Sequence, residues 1–244
     1  MHASVRNYFI TFSESIEGRV HYMYLDVKGL VTIGIGNLID VEKGPVGKVL
    51  AEVKNLPFVF KKGHIHAGKA ASKSDIEAEW RNVKQQQERA KGGRTAFMEI
   101  TELRLNDDAI NSLVLSKLDA MEKELICTPI YRDYWQWPAD AQLGLLSMAW
   151  ALGTPALRKY WPLFCTACQQ QDFDSAAMQC SIKTVNNPGV VPRNAHNQLL
   201  FRNAAAVLAN NGNNMAHNKI MRLTLHYPSI LRKPQAIKGR RMAV

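Results

Sequence analysis

Acidic residues run out well before the chain does. From Ser175 to Val244 there is no Asp or Glu, while the same stretch holds ten Lys and Arg residues. The preceding 174 residues carry 21 basic and 21 acidic side chains, so the whole net charge of +10 belongs to the C-terminal third. Charge this one-sided points to an anionic polymer as partner, and nucleic acid, membrane surface and cell wall all qualify. Long apolar runs are also missing. None approaches the roughly 20 residues of a membrane-spanning helix. The opening MHASVRNYFITFSESIEG has no apolar core and no small-residue cleavage site, so no secretory signal peptide is read there. Cysteine is scarce, with four in 244 residues. Cys165 and Cys168 form a CxxC, but no second ligand pair stands at zinc-site spacing, and the flanking residues read as helix. The cysteines are therefore read as small buried hydrophobes. His64 and His66 form an HxH with no acidic or Cys neighbour to complete a metal site. No internal repeat is present.

Hydrophobic residues make up 46% of the chain, enough for a proper core in one large domain or one domain with an inserted part. Tyr8, Phe9, Phe12 and Ile16 share one face of a helix over about residues 4–16, with Gly18 at its C-cap. His21–Tyr24 and Leu30–Ile35 read as an antiparallel hairpin around a Val27-Lys28-Gly29 turn. The stretch from Asp40 to Ile100 is broken by Pro45, Pro57 and glycines. Within it Ser72–Arg89 reads as helix and Lys91–Arg94 (KGGR) as loop. From Asn106, a candidate N-cap, the pattern is helical throughout. Ile110, Leu113, Val114, Leu118 and Met121 repeat at helical spacing. Pro138–Gly153 is apolar almost all round and reads as a buried central helix. Leu157–Gln169, Phe173–Cys180 and His196–Leu208 follow. The expected fold is α+β and mostly helical, with a small hairpin lobe joined to a larger helical lobe. Residues 1–226 form one domain with an insertion at about 40–100, and 227–244 form a basic tail. Trp135, Trp137 and Trp150 are read as core.

Glu17 at a helix end, Asp26 before the hairpin turn and Thr32 on the next strand span 16 residues that a hairpin can fold together. A carboxylic acid facing a second polar group is what glycoside hydrolysis requires. Each residue also has a plainer reading. Glu17 could be a solvated side chain, although the helix dipole disfavours a carboxylate there. Asp26 suits a turn, Thr32 suits a strand, and Arg193 could be a surface cation.

Glu17-Gly18, Tyr24, Asp26, Gly29 and the run Thr32-Ile33-Gly34-Ile35-Gly36 resemble the active-site signature of the T-even phage lysozyme family. The Glu-to-Asp and Asp-to-Thr spacings match without a gap. The resemblance implies a lysozyme-like two-lobe fold and inverting hydrolysis of the bond between N-acetylmuramic acid and N-acetylglucosamine. Glu17 would be the general acid, and Asp26 and Thr32 would hold the water. Weaker similarity covers Leu143–Gly153 and the segment from Pro192 to Arg202, where Arg193 matches an Arg that pairs with the catalytic Glu. Gly34, Tyr24 and Asn37 are carried over as supporting residues. Asn37 stands where many members have a His in an ion pair, so that pair is expected to be missing. The Asp40–Ile100 stretch is longer than in the small phage enzymes. Gly36–Asp40, Pro138–Trp150 and Arg193–Ala205 look more like muramidases delivered by type VI secretion systems.

A cation beside Glu17 conflicts with the raised pKa a general acid wants, and burial of Glu17 between the lobes is the expected resolution. The expected partner is bacterial peptidoglycan, with no cofactor, no metal, no membrane and no specific nucleic acid. A monomer is expected, made in the cytoplasm and acting at the cell wall. As an injected effector it would have a cognate immunity protein and a secretion-apparatus carrier; as a phage-type endolysin it would not. Chitin or another N-acetylhexosamine polymer is the alternative substrate. A non-catalytic anionic-polymer-binding protein is the alternative class.

Overall fold

The computed structural model describes residues 1–185, 187–210 and 217–221. The basic tail at 227–244, with Arg232, Lys233, Lys238, Arg240 and Arg241, lies outside the described residues, as does Arg222. The chain is mostly helical with a small antiparallel sheet, an α+β protein.

Helix α1, Ala3–Glu17, buries Val5, Phe9 and Phe12, an i, i+4, i+7 stripe facing the core. It ends at Gly18, whose N–H donates to the Glu14 carbonyl at 2.8 Å. Strands β1 (Val20–Leu25) and β2 (Val31–Gly34) form the hairpin, with Tyr24 opposite Thr32 and Leu25 opposite Val31. Its turn is built by Asp26, whose Oδ1 accepts from the Lys28 N–H at 2.8 Å and the Leu30 N–H at 3.0 Å. A short third strand, β3 (Asn37–Leu38), was not expected and pairs with β2.

The long segment after Asp40 is stitched to this sheet. A two-stranded ribbon pairs β4 (Val59–Phe60) with β5 (Leu103–Arg104), and helix α2 (Lys73–Gln85) lies between them in sequence. A reciprocal Ser72–Asp75 capping box starts α2. From α2, Trp80 Nε1 donates to the Ile39 carbonyl at 3.3 Å, and the fully buried Lys84 pairs with Asp40. Glu79 accepts from the backbone N–H groups of Glu102 and Leu103. The KGGR stretch, expected as loop, falls in 3-10 turns at Gln87–Gly92 and Arg94–Phe97, with Gly93 between them.

Asn106 caps α3 (Asp107–Ile126), accepting from the Ala109 N–H at 2.8 Å. Its inner ladder is Ile110, Val114, Leu118, Met121 and Leu125. Each such burial contributes about 1.5–3 kcal/mol. Helix α4, Ala139–Leu152, is buried continuously from Ala139 to Trp150 and runs through the middle of the helical part. The single helix expected over Leu157–Gln169 is two: α5 (Thr154–Tyr160) and α6 (Pro162–Gln169). Pro162 explains the break, since its ring admits it at the first turn of a helix but not in an interior. Helices α7 (Phe173–Gln179) and α8 (Val191–Ala209) complete the bundle. Gly144 of α4 faces the Phe201 ring of α8 so closely that a β-carbon there would stand 2.8 Å from Cζ. Cys165, Cys168 and Cys180 are buried thiols, and Cys127 is exposed. Trp137 and Trp150 are buried, but Trp135 is 52% exposed and is not core. His64 and His66 lie in a turn, where His64 stacks on Phe60 at 4.5 Å. The short segment 217–221 packs on the start of α4. Ala139 N–H donates to the His217 carbonyl at 2.8 Å, and Met221 N–H donates to Asp140 at 3.1 Å. Among the described residues, no helix is long and apolar enough to cross a membrane.

Candidate active site

A cleft of about 880 Å³ lies between the sheet with its attached segment and helices α3, α4 and α8. Glu17, Tyr24, Asp26, Thr32 and Arg193 all line it. They reach it from four different pieces of chain. Glu17 is the last residue of α1, so the helix end sets its direction. Tyr24 and Thr32 are cross-strand neighbours, and Asp26 follows two residues after Tyr24 at the head of the turn. Gly34 and Asn37 do not line the cleft and lie beneath its wall. Asn37 is buried, and its Oδ1 accepts from the Ile35 N–H at 3.2 Å. A β-carbon on Gly34 would come within 3.1 Å of that same oxygen. Both residues shape the turn that carries Gly36 to the cleft.

Glu17 is held from one side. Arg193, 1% exposed, donates through Nη2 to Glu17 Oε1. Its Nη1 donates to the Ser147 carbonyl at 3.0 Å and to the Ser147 hydroxyl at 2.9 Å. The guanidinium is thereby locked by α4 before it meets the carboxylate, a charge-assisted contact of the strong kind. Glu17 Oε2 accepts no hydrogen bond among the described residues. The Glu17 side chain is 34% exposed. The burial expected for it is only partial, because the cleft stays open beside the helix end.

Asp26 is half-buried. Its Oδ1 is occupied by the two turn N–H groups, and Oδ2 has no protein donor among the described residues. Thr32 is buried, with its hydroxyl donating to the Leu30 carbonyl at 3.1 Å. An acceptor position on that hydroxyl is left for a water. Burial pushes the Tyr24 phenol well above its ordinary range. The Glu17 charge adds to this and the Arg94 charge opposes it. Tyr24 therefore stays protonated and can donate a hydrogen bond.

Four contributors escaped the reading of the sequence. Arg94 donates through Nη1 to the Glu17 carbonyl and lines the cleft. Gly36 has φ +70°, and a β-carbon there would lie 3.3 Å from Glu17 Cδ and 3.4 Å from Trp150 Nε1. Only glycine combines that backbone with that clearance. Trp150, buried as expected, also forms cleft wall, and Lys117 of α3 stands over its ring. The TIGIG run contains Gly36, so that signal was present. Nothing local marked Arg94, whereas Lys117 interrupts the apolar face of α3, a signal the sequence did offer. Among the described residues, no group of three or more His, Cys, Asp or Glu side chains could hold a metal ion. Comparison with family models and with curated protein sequences returns no match.

Proposed function

We propose that this chain is a muramidase that hydrolyses the β-1,4 bond between N-acetylmuramic acid and N-acetylglucosamine in peptidoglycan. The observation that carries the reading is the Glu17 carboxyl group, held through one oxygen by the buried Arg193 in a cleft that Asp26 and Thr32 also line. In the lysozyme-like arrangement we infer, the sheet and its attached segment are the small lobe and the helices the large one. The glycan lies between them. The spacing of Glu17, Asp26 and Thr32, which resembles the T-even phage lysozyme signature, supports the same reading.

The chemistry we infer assigns each of these groups a role. Arg193 occupies Oε1, so Oε2 carries the proton that Glu17 gives to the leaving glycosidic oxygen. A water held by Asp26 Oδ2 and the Thr32 hydroxyl attacks the anomeric carbon from the other face. As the carbon–oxygen bond to the leaving sugar breaks, the bond to water forms and Asp26 takes the water's proton. One displacement inverts the anomeric centre, and two carboxyl groups suffice without a cofactor. Glu17, once ionised, is stabilised by the guanidinium already in contact with it. Arg193 thus favours the product side of the proton transfer.

Purified sacculi incubated with wild type and with Glu17→Gln test this directly. Wild type is expected to release new reducing N-acetylmuramic acid ends. The variant, which keeps its shape but has no proton to give, is expected to lose about 10²–10⁴-fold. Release of N-acetylglucosamine ends instead, faster cleavage of chitin, or a variant with near-normal rate would each overturn the proposal.

A further inference from the structure

Lys117 is a cleft cation to which the proposed chemistry gives no task. It projects from α3, and its Nζ stands 4.0 Å from the centroid of the Trp150 ring. The same ammonium donates to the Gly36 carbonyl at 3.4 Å. Gly36 is close to both Glu17 and Trp150, since a β-carbon there would lie 3.3 Å from Glu17 Cδ and 3.4 Å from Trp150 Nε1. Trp150 Nε1 in turn donates to the Ile35 carbonyl at 3.2 Å. One ammonium therefore ties α3 to the turn from β2 and to the ring from α4. Among the described residues, no carboxylate lies within ion-pair distance of Lys117. A free surface lysine would not be spent this way, because ordering its long side chain costs entropy.

Both contacts depend on charge. The attraction of the ring face for a cation vanishes when the amine is neutral, and the hydrogen bond to the carbonyl weakens. Burial pushes the Lys117 ammonium down to about 8, with Glu17 holding it up and Arg193 pressing it further down. Further charged or titratable groups line the same cleft. Tyr24, Asp26 and Lys28 come from β1 and its turn, Asp40 from the chain after β3, Arg94 from the 3-10 turn and Glu124 from further along α3. From α4 comes Trp150, which does not titrate.

We propose that Lys117 is a positioning residue, a charged clamp that holds the Gly36 turn and the Trp150 ring against Glu17 and releases them when it gives up its proton. Its bearing on catalysis rests on the reading of Glu17 as the acid. The clamp itself is observable without any substrate. Its effect on rate would come through placement, because Lys117 touches the surfaces that flank the acid rather than the reacting atoms. Misplacement on the scale of 1 Å costs about a hundredfold in an oriented site.

The test follows the Trp150 indole N–H resonance and the labelled lysine side chains of the full chain between about pH 6 and 10. Lys117 is expected to titrate near 8, with the indole resonance moving at the same midpoint. Lys117→Met should hold the indole at its high-pH position throughout. Lys117→Arg should hold it at its low-pH position, since guanidinium stays charged. On sacculi near pH 6, Lys117→Met should lose about tenfold or more in kcat, and Lys117→Arg should recover most of that loss. An indole resonance that stays flat while Lys117 titrates overturns the clamp on the wild-type protein alone, whether or not the Met variant folds. Full activity in a folded Lys117→Met overturns the positioning role. If Glu17→Gln stays active while the indole follows Lys117, the clamp stands and the acid assignment falls. If Glu17→Gln is dead and the indole is flat, the acid assignment stands and the clamp falls.

Discussion

The guanidinium of Arg94 donates to the backbone carbonyl of Glu17, across 77 residues of sequence. That carbonyl is among the last of α1, and helix ends leave such carbonyls without a partner inside the helix. A cation at this end also complements the helix dipole. The segment following Asp40 thus reaches back to fix the residue on which the proposed chemistry depends. Arg94→Ala should lower stability by about 0.5–1.5 kcal/mol, a small figure because Arg94 is exposed and the bond competes with water. Turnover should fall further than stability accounts for, since the end of α1 aims the Glu17 side chain. Thermal melts beside kcat on sacculi check this. A melt lowered as stated with kcat unchanged would mean that Arg94 only caps the helix.

Asp26→Asn separates two roles of one side chain. The Asn oxygen can still accept from the Lys28 and Leu30 N–H groups, so the turn survives. What disappears is the second carboxylate oxygen, which is the proposed proton acceptor. The melting temperature should stay within a degree or two, while turnover drops about 10²–10⁴-fold. Normal turnover in this variant would reduce Asp26 to a turn residue.

Arg193→Met should be the most damaging single change at the site. Removing one partner of a buried pair costs about 3–5 kcal/mol, and the one-third exposure of Glu17 places the loss at the lower end. Ser147 also loses both its hydrogen bonds to the guanidinium. Lys in place of Arg keeps the charge but cannot serve Ser147 and Glu17 in one plane. Urea unfolding should rank the proteins wild type, Lys, Met. A Met variant as stable as wild type would show that Arg193 contributes no net stability.

Glu79 makes a prediction about pH that is independent of catalysis. Burial raises it from the ordinary 4.5 to about 7, against backbone N–H groups that favour its charge. Between those values the native state keeps the proton and the unfolded chain gives it up. The associated stability is therefore full below about pH 4.5 and is lost as pH rises to about 7. The loss is on the order of 2–3 kcal/mol. Glu79→Gln cannot ionise and should not lose it. Urea midpoints at about pH 4.5 and 7.5 should show wild type falling relative to the variant. A constant difference would place the Glu79 titration elsewhere.

The parts of the fold written in local pattern were readable from sequence. Phe9 and Phe12 share a helical face, Asn106 caps, and α4 is apolar on every side. Lys117 was legible and was passed over. It stands seven residues after Ile110, three after Val114 and four before Met121, so it falls on the apolar stripe of α3, where a lysine is out of place unless something holds its charge. Its burial comes from the Gly36 turn and Trp150, which approach from far along the chain. Arg94 was hidden, since KGGR signals a loop and says nothing of a carbonyl 77 residues away. Trp135 misled in the opposite direction, because aromatic character alone does not decide which side of a short 3-10 turn meets water.

The closeness of Gly144 to the Phe201 ring acts as a ruler for the chemistry two turns away. Arg193 leaves α8 and must span the gap between helices to meet Ser147 on α4 and then Glu17 on α1. A guanidinium has a fixed length, so the separation of α4 from α8 decides whether it arrives. With an alanine at 144, a β-carbon 2.8 Å from the ring would force the two helices apart or twist the Phe201 ring. Where the helices move rather than the ring, the spacer lengthens while the arm does not. An apolar contact between a glycine and a phenylalanine thereby sets the reach of the charge that holds Glu17.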